Sequence, residues 1–175
     1  MTDVAPESNL VALERAIVSG DVRALRAAFG DDPAFPNVRD ECGQPPLDHA
    51  IYRGPLSLVR TLIELGADPN YADNGGFPSL FAACDRAASD RIDVMALLLS
   101  AGASVEQRGT NDYTALHHAA CRDDAEAVAL LLAHGADPAA RTRIDSYNTP
   151  LEEAEQFGHR AGADALRRHT RVSEG

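Results

Sequence analysis

Residues 113–138 read YTALHHAACRDDAEAVALLLAHGADP. Two adjacent histidines, a cysteine and two adjacent aspartates look like chemistry, but the stretch also looks like one tile of a repeat. The ends of three apolar runs decide between the two. IELGADPN closes at Asn70, LSAGASVE at Glu106 and LAHGADPA at Ala139, with Gly66, Gly102 and Gly135 spaced 36 and 33 residues apart. The segments that open the following units are QPPLDHAI, FPSLFAAC, YTALHHAA and NTPLEEAE. They carry Leu47, Leu80, Leu116 and Leu151 at spacings of 33, 36 and 35. Self-similarity at such a period marks stacked supersecondary units.

Each unit decodes alike. Thr114 and Thr149 suit a helix N-cap, and Pro150 a first helical position. A first helix follows, with Ala50, Ala83, Ala119 and Ala154 where a neighbouring helix must approach closely. A break is expected at Gly54, Asp123 and Gly158. The second helix carries Val59, Leu62 and Ile63 in one unit, Val94, Leu97 and Leu98 in the next, and Val128, Leu131 and Leu132 in the third. Each set makes one apolar stripe. Asp123 followed by Glu126 resembles a capping box. Gly66, Gly102 and Gly135 suit left-handed helix stops, and Pro69 and Pro138 forbid continuation. Between units, NYADNGGF and EQRGTNDY are turn-rich and suit a protruding hairpin.

Composition agrees. Aromatics make up 5% of the 175 residues and there is no Trp, so the core must be built from Ala, Leu, Val and Ile. The formal net charge is −11, which argues against a nucleic-acid footprint and would steer the chain toward basic partners. Cys42, Cys84 and Cys121 are an odd number and far apart, without a C-x-x-C, so neither a disulfide framework nor a zinc ribbon is implied. MTDVAPESNL has neither a basic nor an apolar leader region, and no apolar run approaches membrane-spanning length. The expected compartment is the reducing cytosol. Richness in Ala, Asp and Arg suits a GC-rich bacterial genome.

These residues resemble the ankyrin-repeat family. TALHHAACRDDAEAVALLLAHGADP (residues 114–138) is close to the family consensus throughout. PPLDHAIYRGPLSLVRTLIELGADPN (45–70) is nearly as close, and SLFAACDRAASDRIDVMALLLSAGAS (79–104) matches with three extra residues between its helices. The resemblance implies an all-α solenoid of helix-turn-helix units with β-hairpin loops. It reads as a flexible N-terminus (1–9), a capping repeat (10–39), three full repeats (40–73, 74–108 and 109–143), a C-terminal cap (144–170) and a flexible tail (171–175). His117 sits where the family usually has a histidine bonding neighbouring backbone; that position elsewhere reads Asp48, Phe81 and Glu152.

Four candidate sites invite a functional reading. His117 and His118 with Asp123 and Asp124 could hold a metal or an acid–base pair, but adjacent helical residues do not face the same way. Their structural reading is one packed histidine, one surface histidine and a cap. Cys84 and Cys121 lie near Arg86 and Arg122, and a reactive thiol needs such an electropositive setting; buried, inert thiols are the alternative. DRAASDRID (85–93) carries the insertion, is expected to extend the first helix and its loop, and reads as a recognition bump or a neutral loop. ARTRIDSYNTP (140–150) makes the last hairpin two residues longer and presents Arg141 and Arg143, either to an acidic partner or as solvated charge.

The resemblance implies protein binding by the concave face of hairpin tips and first helices. Aligned to the consensus, the solvent-facing variable positions include Glu41, Gln44, Tyr52 and Arg53, then Asn74, Phe77, Asp85 and Arg86, then Asn111, Tyr113, Cys121 and Arg122, and finally Ser146, Asn148, Gln156 and Phe157. An aromatic row of Tyr52, Phe77 and Tyr113 beside an arginine row of Arg53, Arg86 and Arg122, with Asp85 and Asn111, is the expected protein-binding patch, since Tyr and Arg are frequent interface anchors. The bland reading packs the aromatics between fingers. The expectation is a non-enzymatic, monomeric interaction module without cofactor, metal, nucleic acid or membrane. The alternatives are an inhibitor or immunity-type protein for one cognate enzyme or toxin, and a small enzyme built on Asp85, Arg86, Cys121 and Arg122. Arg15, Arg23, Arg26, Arg167 and Arg168 imply solvated caps.

Overall fold

Three of the second helices stop at glycine. Gly66, Gly102 and Gly135 have φ of 91°, 94° and 85°. The residue after each donates its N–H back into the helix: Ala67 to the Leu62 carbonyl, Ala103 to Leu98 and Ala136 to Leu131. This is the Schellman closure that a left-handed glycine permits.

The computed structural model describes residues 9–73, 75–143 and 147–173. Among the described residues ten helices form five pairs. They are α1 (Asn9–Ser19) with α2 (Val22–Ala28), α3 (Pro46–Arg53) with α4 (Leu56–Glu64), α5 (Ser79–Asp85) with α6 (Arg91–Ser100), α7 (Ala115–Cys121) with α8 (Ala125–Ala133), and α9 (Pro150–Gln156) with α10 (Arg160–Ser173). The odd-numbered helices stack in one layer and the even-numbered in a second, giving the all-α repeat solenoid. Ala50, Ala83, Ala119 and Ala154 are fully buried, because only a methyl group fits between first helices of adjacent units. Thr114 and Thr149 cap α7 and α9 in full capping boxes with His117 and Glu152.

Each unit after the first projects a finger closed by one backbone bond: Asp40 N to Gln44 O, Asp73 N to Phe77 O, Gly109 N to Tyr113 O and Thr142 N to Asn148 O. The last spans two more residues, as its sequence predicts. The hairpins are short: their one ladder feature among the described residues is the Ala72–Pro78 bridge. Asp40 and Asp73 hold their own fingers, each Oδ1 accepting two backbone N–H groups. At the equivalent Gly109 a Cβ would come within 2.6 Å of the Pro78 ring and 2.8 Å of Phe81. There Arg108 takes over, binding the Asp112 carboxylate and carbonyl, both at 2.8 Å.

Side chains tie unit to unit along the opposite edge. Asn37 donates to the Gly66 carbonyl and accepts from Asp68 N, at 2.9 and 2.8 Å. Asn70 repeats this with Gly102 and Ser104 at 3.0 and 2.7 Å. At the third seam Glu106 accepts from Asp137 N at 2.9 Å, but a carboxylate has no donor for Gly135.

Four expectations need correction. The cap of α8 is Asp124, which accepts from Ala127 N. Asp123, with φ of 56°, instead accepts from Gly162 N in the next unit. The apolar stripe of α6 is shifted by one residue: Met95, Leu98 and Leu99 are buried with Val94, while Leu97 is half-exposed. The insertion leaves α5 the same length as α7 and lies wholly between Asp85 and Arg91. Finally, α10 continues to Ser173, so 171–173 are helical. Of the expected flexible N-terminus (1–9), residues 1–8 lie outside the described residues and Asn9 opens α1.

Candidate functional site

The first helices and the fingers bound one face. Two positions recur on it once per unit. Tyr52, Asp85, Cys121 and Gln156 occupy the last exposed turn, and Arg53, Arg86, Arg122 and Phe157 follow them. The scaffold repeats while the chemistry at these positions changes from unit to unit.

The arginine row does not form. Arg53 and Arg122 are exposed, each pinned by a carboxylate of the preceding unit. Arg53 binds Glu14 and donates to His49 Nδ1 at 2.7 Å; the other ring nitrogen, Nε2, then faces Asp40 at 2.8 Å. Arg122 lies 3.0 Å from Asp85. Arg86, by contrast, is buried, which corrects its expected solvent-facing place. Its guanidinium donates to the Ile51 and Gly54 carbonyls at 2.6 and 2.9 Å, and its Nε and second amino group hold Asp90 at 2.7 and 3.0 Å. The physical reason is the insertion: the added loop returns Asp90 to neutralise a guanidinium that the end of α3 has drawn inward.

The aromatic row is half-buried throughout. Phe77 meets Phe81 edge-on at 6.0 Å, and Phe81 stacks on His118 at 4.6 Å. Tyr113 stacks on His117 at 5.4 Å, and its hydroxyl lies against the Cys121 thiol and Glu153. Burial, with Asp48 and Asp85 nearby, pushes the Tyr52 phenol up to about 12. Asn111 is exposed with φ of 59°. Asn74 and Ser146 lie outside the described residues.

His117 is fully buried, bonded to Thr114 through Nδ1 and to the Asn148 carbonyl through Nε2 at 3.1 Å. His118 turns to the other seam, 2.9 Å from Asp85. No group that could hold a metal occurs among the described residues. Burial lifts the Cys84 thiol to about 12 and the Cys121 thiol to about 11; neither carries the depressed pKa of a nucleophile. The finger arginines are likewise engaged: Arg143 forks onto Asp112 at 2.6 and 3.1 Å, and Arg141 binds Glu152 at 3.0 Å. The Arg143 hydrogen bond holds Asp112 down to about 2, against the opposing effect of burial.

Sequence reasoning left Tyr147 unnamed, and it set Phe157 at a solvent-facing position without putting it in the binding patch. Tyr147 and Phe157 are the exposed aromatics, at 60% and 58%; Phe157 falls on the recurring position and Tyr147 in the longer finger. Asp48, placed where the repeat's histidine stands, is buried and accepts from Tyr71 and Gln44. Both partners lie in its own unit, whereas His117 bonds the Asn148 carbonyl of the next.

The pairing of helices, the finger closures and the glycine stops now stand beside two family matches. A model of ankyrin repeats in three copies matches residues 80–173, and one for many copies matches 13–63 and 47–86. The chain belongs to the ankyrin-repeat family. It is 35% identical over 159 residues to the transient receptor potential channel pyrexia of Drosophila melanogaster, covering 90% of this chain and 16% of that protein. It is 27% identical over 185 residues to the potassium channel AKT2/3 of Arabidopsis thaliana (87% and 22%). It is 31% identical over 106 residues to the BCL-6 corepressor-like protein 1 of Homo sapiens (60% and 6%). The chain thus spans less than a quarter of the length of each of these relatives. No helix among the described residues is long and apolar enough to cross a membrane. Ankyrin repeats in general are scaffolds whose stacked units present an extended binding surface.

Proposed function

We propose that this ankyrin array is a non-enzymatic module that binds a partner protein across its first helices and fingers. The observation that carries this reading is the recurring pair of surface positions. A frame held rigid by buried alanines presents Tyr52 and Arg53, then Asp85, then Cys121 and Arg122, then Gln156 and Phe157, a different chemistry at each step. Variation on a fixed frame is how such arrays acquire specificity. The enzyme alternative has little support: Arg86 is committed to backbone carbonyls, and the Cys121 thiol is held protonated.

The test captures partners on the immobilised full chain and on a Tyr52→Ala/Arg122→Ala/Phe157→Ala variant, checked for unchanged helicity. These positions keep exposed surface, so the fold should survive. One protein retained by the wild type and lost by the variant is the expected result. A protein retained equally by both places its binding elsewhere and overturns this site.

A further inference from the structure

From the second seam onward each finger is covered on its N-terminal side by the one before. Thr110 Oγ1 donates to the Gly75 carbonyl at 2.9 Å, and Arg143 reaches Asp112. Among the described residues no finger precedes that of residues 40–44. What remains is a groove of about 460 Å³ between α1, the end of α2 and that finger. Its floor is apolar, made by Leu13, Phe29 and Leu10, and Leu10 is 67% exposed. Its rim carries Asp40, Glu41 and Cys42. Arg39 also borders it, but its guanidinium is drawn to the Gly43 and Ala72 carbonyls at 2.7 and 3.0 Å, toward the next finger.

We infer that this groove seats a basic segment of the partner protein, an arginine or lysine flanked by aliphatic residues. The inference rests on the protein-binding reading above and names the partner's chemistry. An apolar floor beneath a carboxylate rim matches a side chain with a methylene stem and a cationic head. The floor covers the stem while Glu41 meets the charge. The wider field agrees. The chain as a whole carries −11, which raises the encounter rate with a cation.

The experiment titrates the isotope-labelled full chain with end-capped Leu-Arg-Leu-Arg and follows backbone amide shifts. The matching Ser and Glu peptides serve as controls. The expected result is saturable shifts at Leu13, Phe29, Glu41 and Cys42 with the arginine peptide. Glu41→Lys should weaken it ~tenfold and added salt should weaken it further. Glu41 is exposed, so the variant keeps the fold. Equal binding of the serine peptide, shifts centred elsewhere, no shifts, or binding seen only after residues 1–8 are deleted would each overturn the inference. A captured partner that needs Tyr52, Arg122 and Phe157 but ignores Glu41→Lys leaves the interaction module standing and removes only this groove.

Discussion

Arg86 reaches back one unit to close the end of α3, donating to the Ile51 carbonyl at 2.6 Å. Helix C-termini leave carbonyls without intrahelical partners, and a buried guanidinium can serve several at once. Replacing it with Met would orphan those carbonyls and leave Asp90 without its cation. The expected loss is about 2–3 kcal/mol, read from urea or thermal unfolding. Arg86→Lys should recover little, because an ammonium cannot reproduce the fork. Full rescue by lysine would mean that charge alone matters.

The third seam has room for improvement. Asn37 and Asn70 each make two bonds to the following glycine turn, while Glu106 makes one. Glu106→Asn should add a donor for the Gly135 carbonyl and stabilise the array by about 1 kcal/mol. Asn70→Ala should cost a similar or larger amount. Equal melting points for wild type and Glu106→Asn would show that the missing bond is supplied by water.

Gly109 is needed for space rather than for an unusual backbone angle. A methyl group there would press on Pro78, Phe81 and the Gly76 carbonyl, all within 2.8 Å. Gly109→Ala is expected to cost about 1–3 kcal/mol, with the largest amide shifts in the fingers of residues 73–77 and 109–113.

Acid acts on the fold in two opposite ways. Burial lowers the His117 pKa, opposed by its bond to the Asn148 carbonyl. The unfolded chain therefore takes a proton that the fold refuses, and stability falls as pH drops below about 6.5. Burial raises the Asp48 carboxyl, opposed by the Tyr71 hydroxyl. The ionised form is thus penalised in the fold, and the penalty is present at neutral pH. Asp48→Asn should be more stable than wild type at pH 7, with the gain vanishing below about pH 4. Urea midpoints across pH would decide; a gain that persisted in acid would point to packing instead.

The three thiols should separate by reactivity. Cys42 is exposed, whereas Cys121 and Cys84 are raised by burial. Iodoacetamide under native conditions should modify Cys42 first and Cys84 only on unfolding, as read by mass spectrometry of digests. Fast labelling of Cys121 would reopen the nucleophile reading.

The repeat itself was legible because glycine, alanine and leucine recur at fixed offsets, and each has one physical job at its position. Met95 was left out of the stripe because Val94, Leu97 and Leu98 satisfy the same apolar spacing; only counting back from Gly102 separates the two registers. Arg86 was misread for a different reason. Alignment gives it the same slot as Arg53 and Arg122, and nothing local says that Asp90 will fold back to meet it. Side-chain direction at a slot is decided by loop length next door. Tyr147, and the greater exposure of Phe157 than of Tyr52, Phe77 and Tyr113, were hidden for the same reason: a site seen one residue at a time does not reveal which aromatics their neighbours cover.

The rungs of Asn37, Asn70 and Glu106 have a mechanical meaning. Each joins a unit only to the one beside it, so tension applied between the two ends would load the rungs in series rather than share the load among them. The single-bonded rung at Glu106 would then part first of the three, leaving Asp85 with His118 and Arg122 to carry that seam.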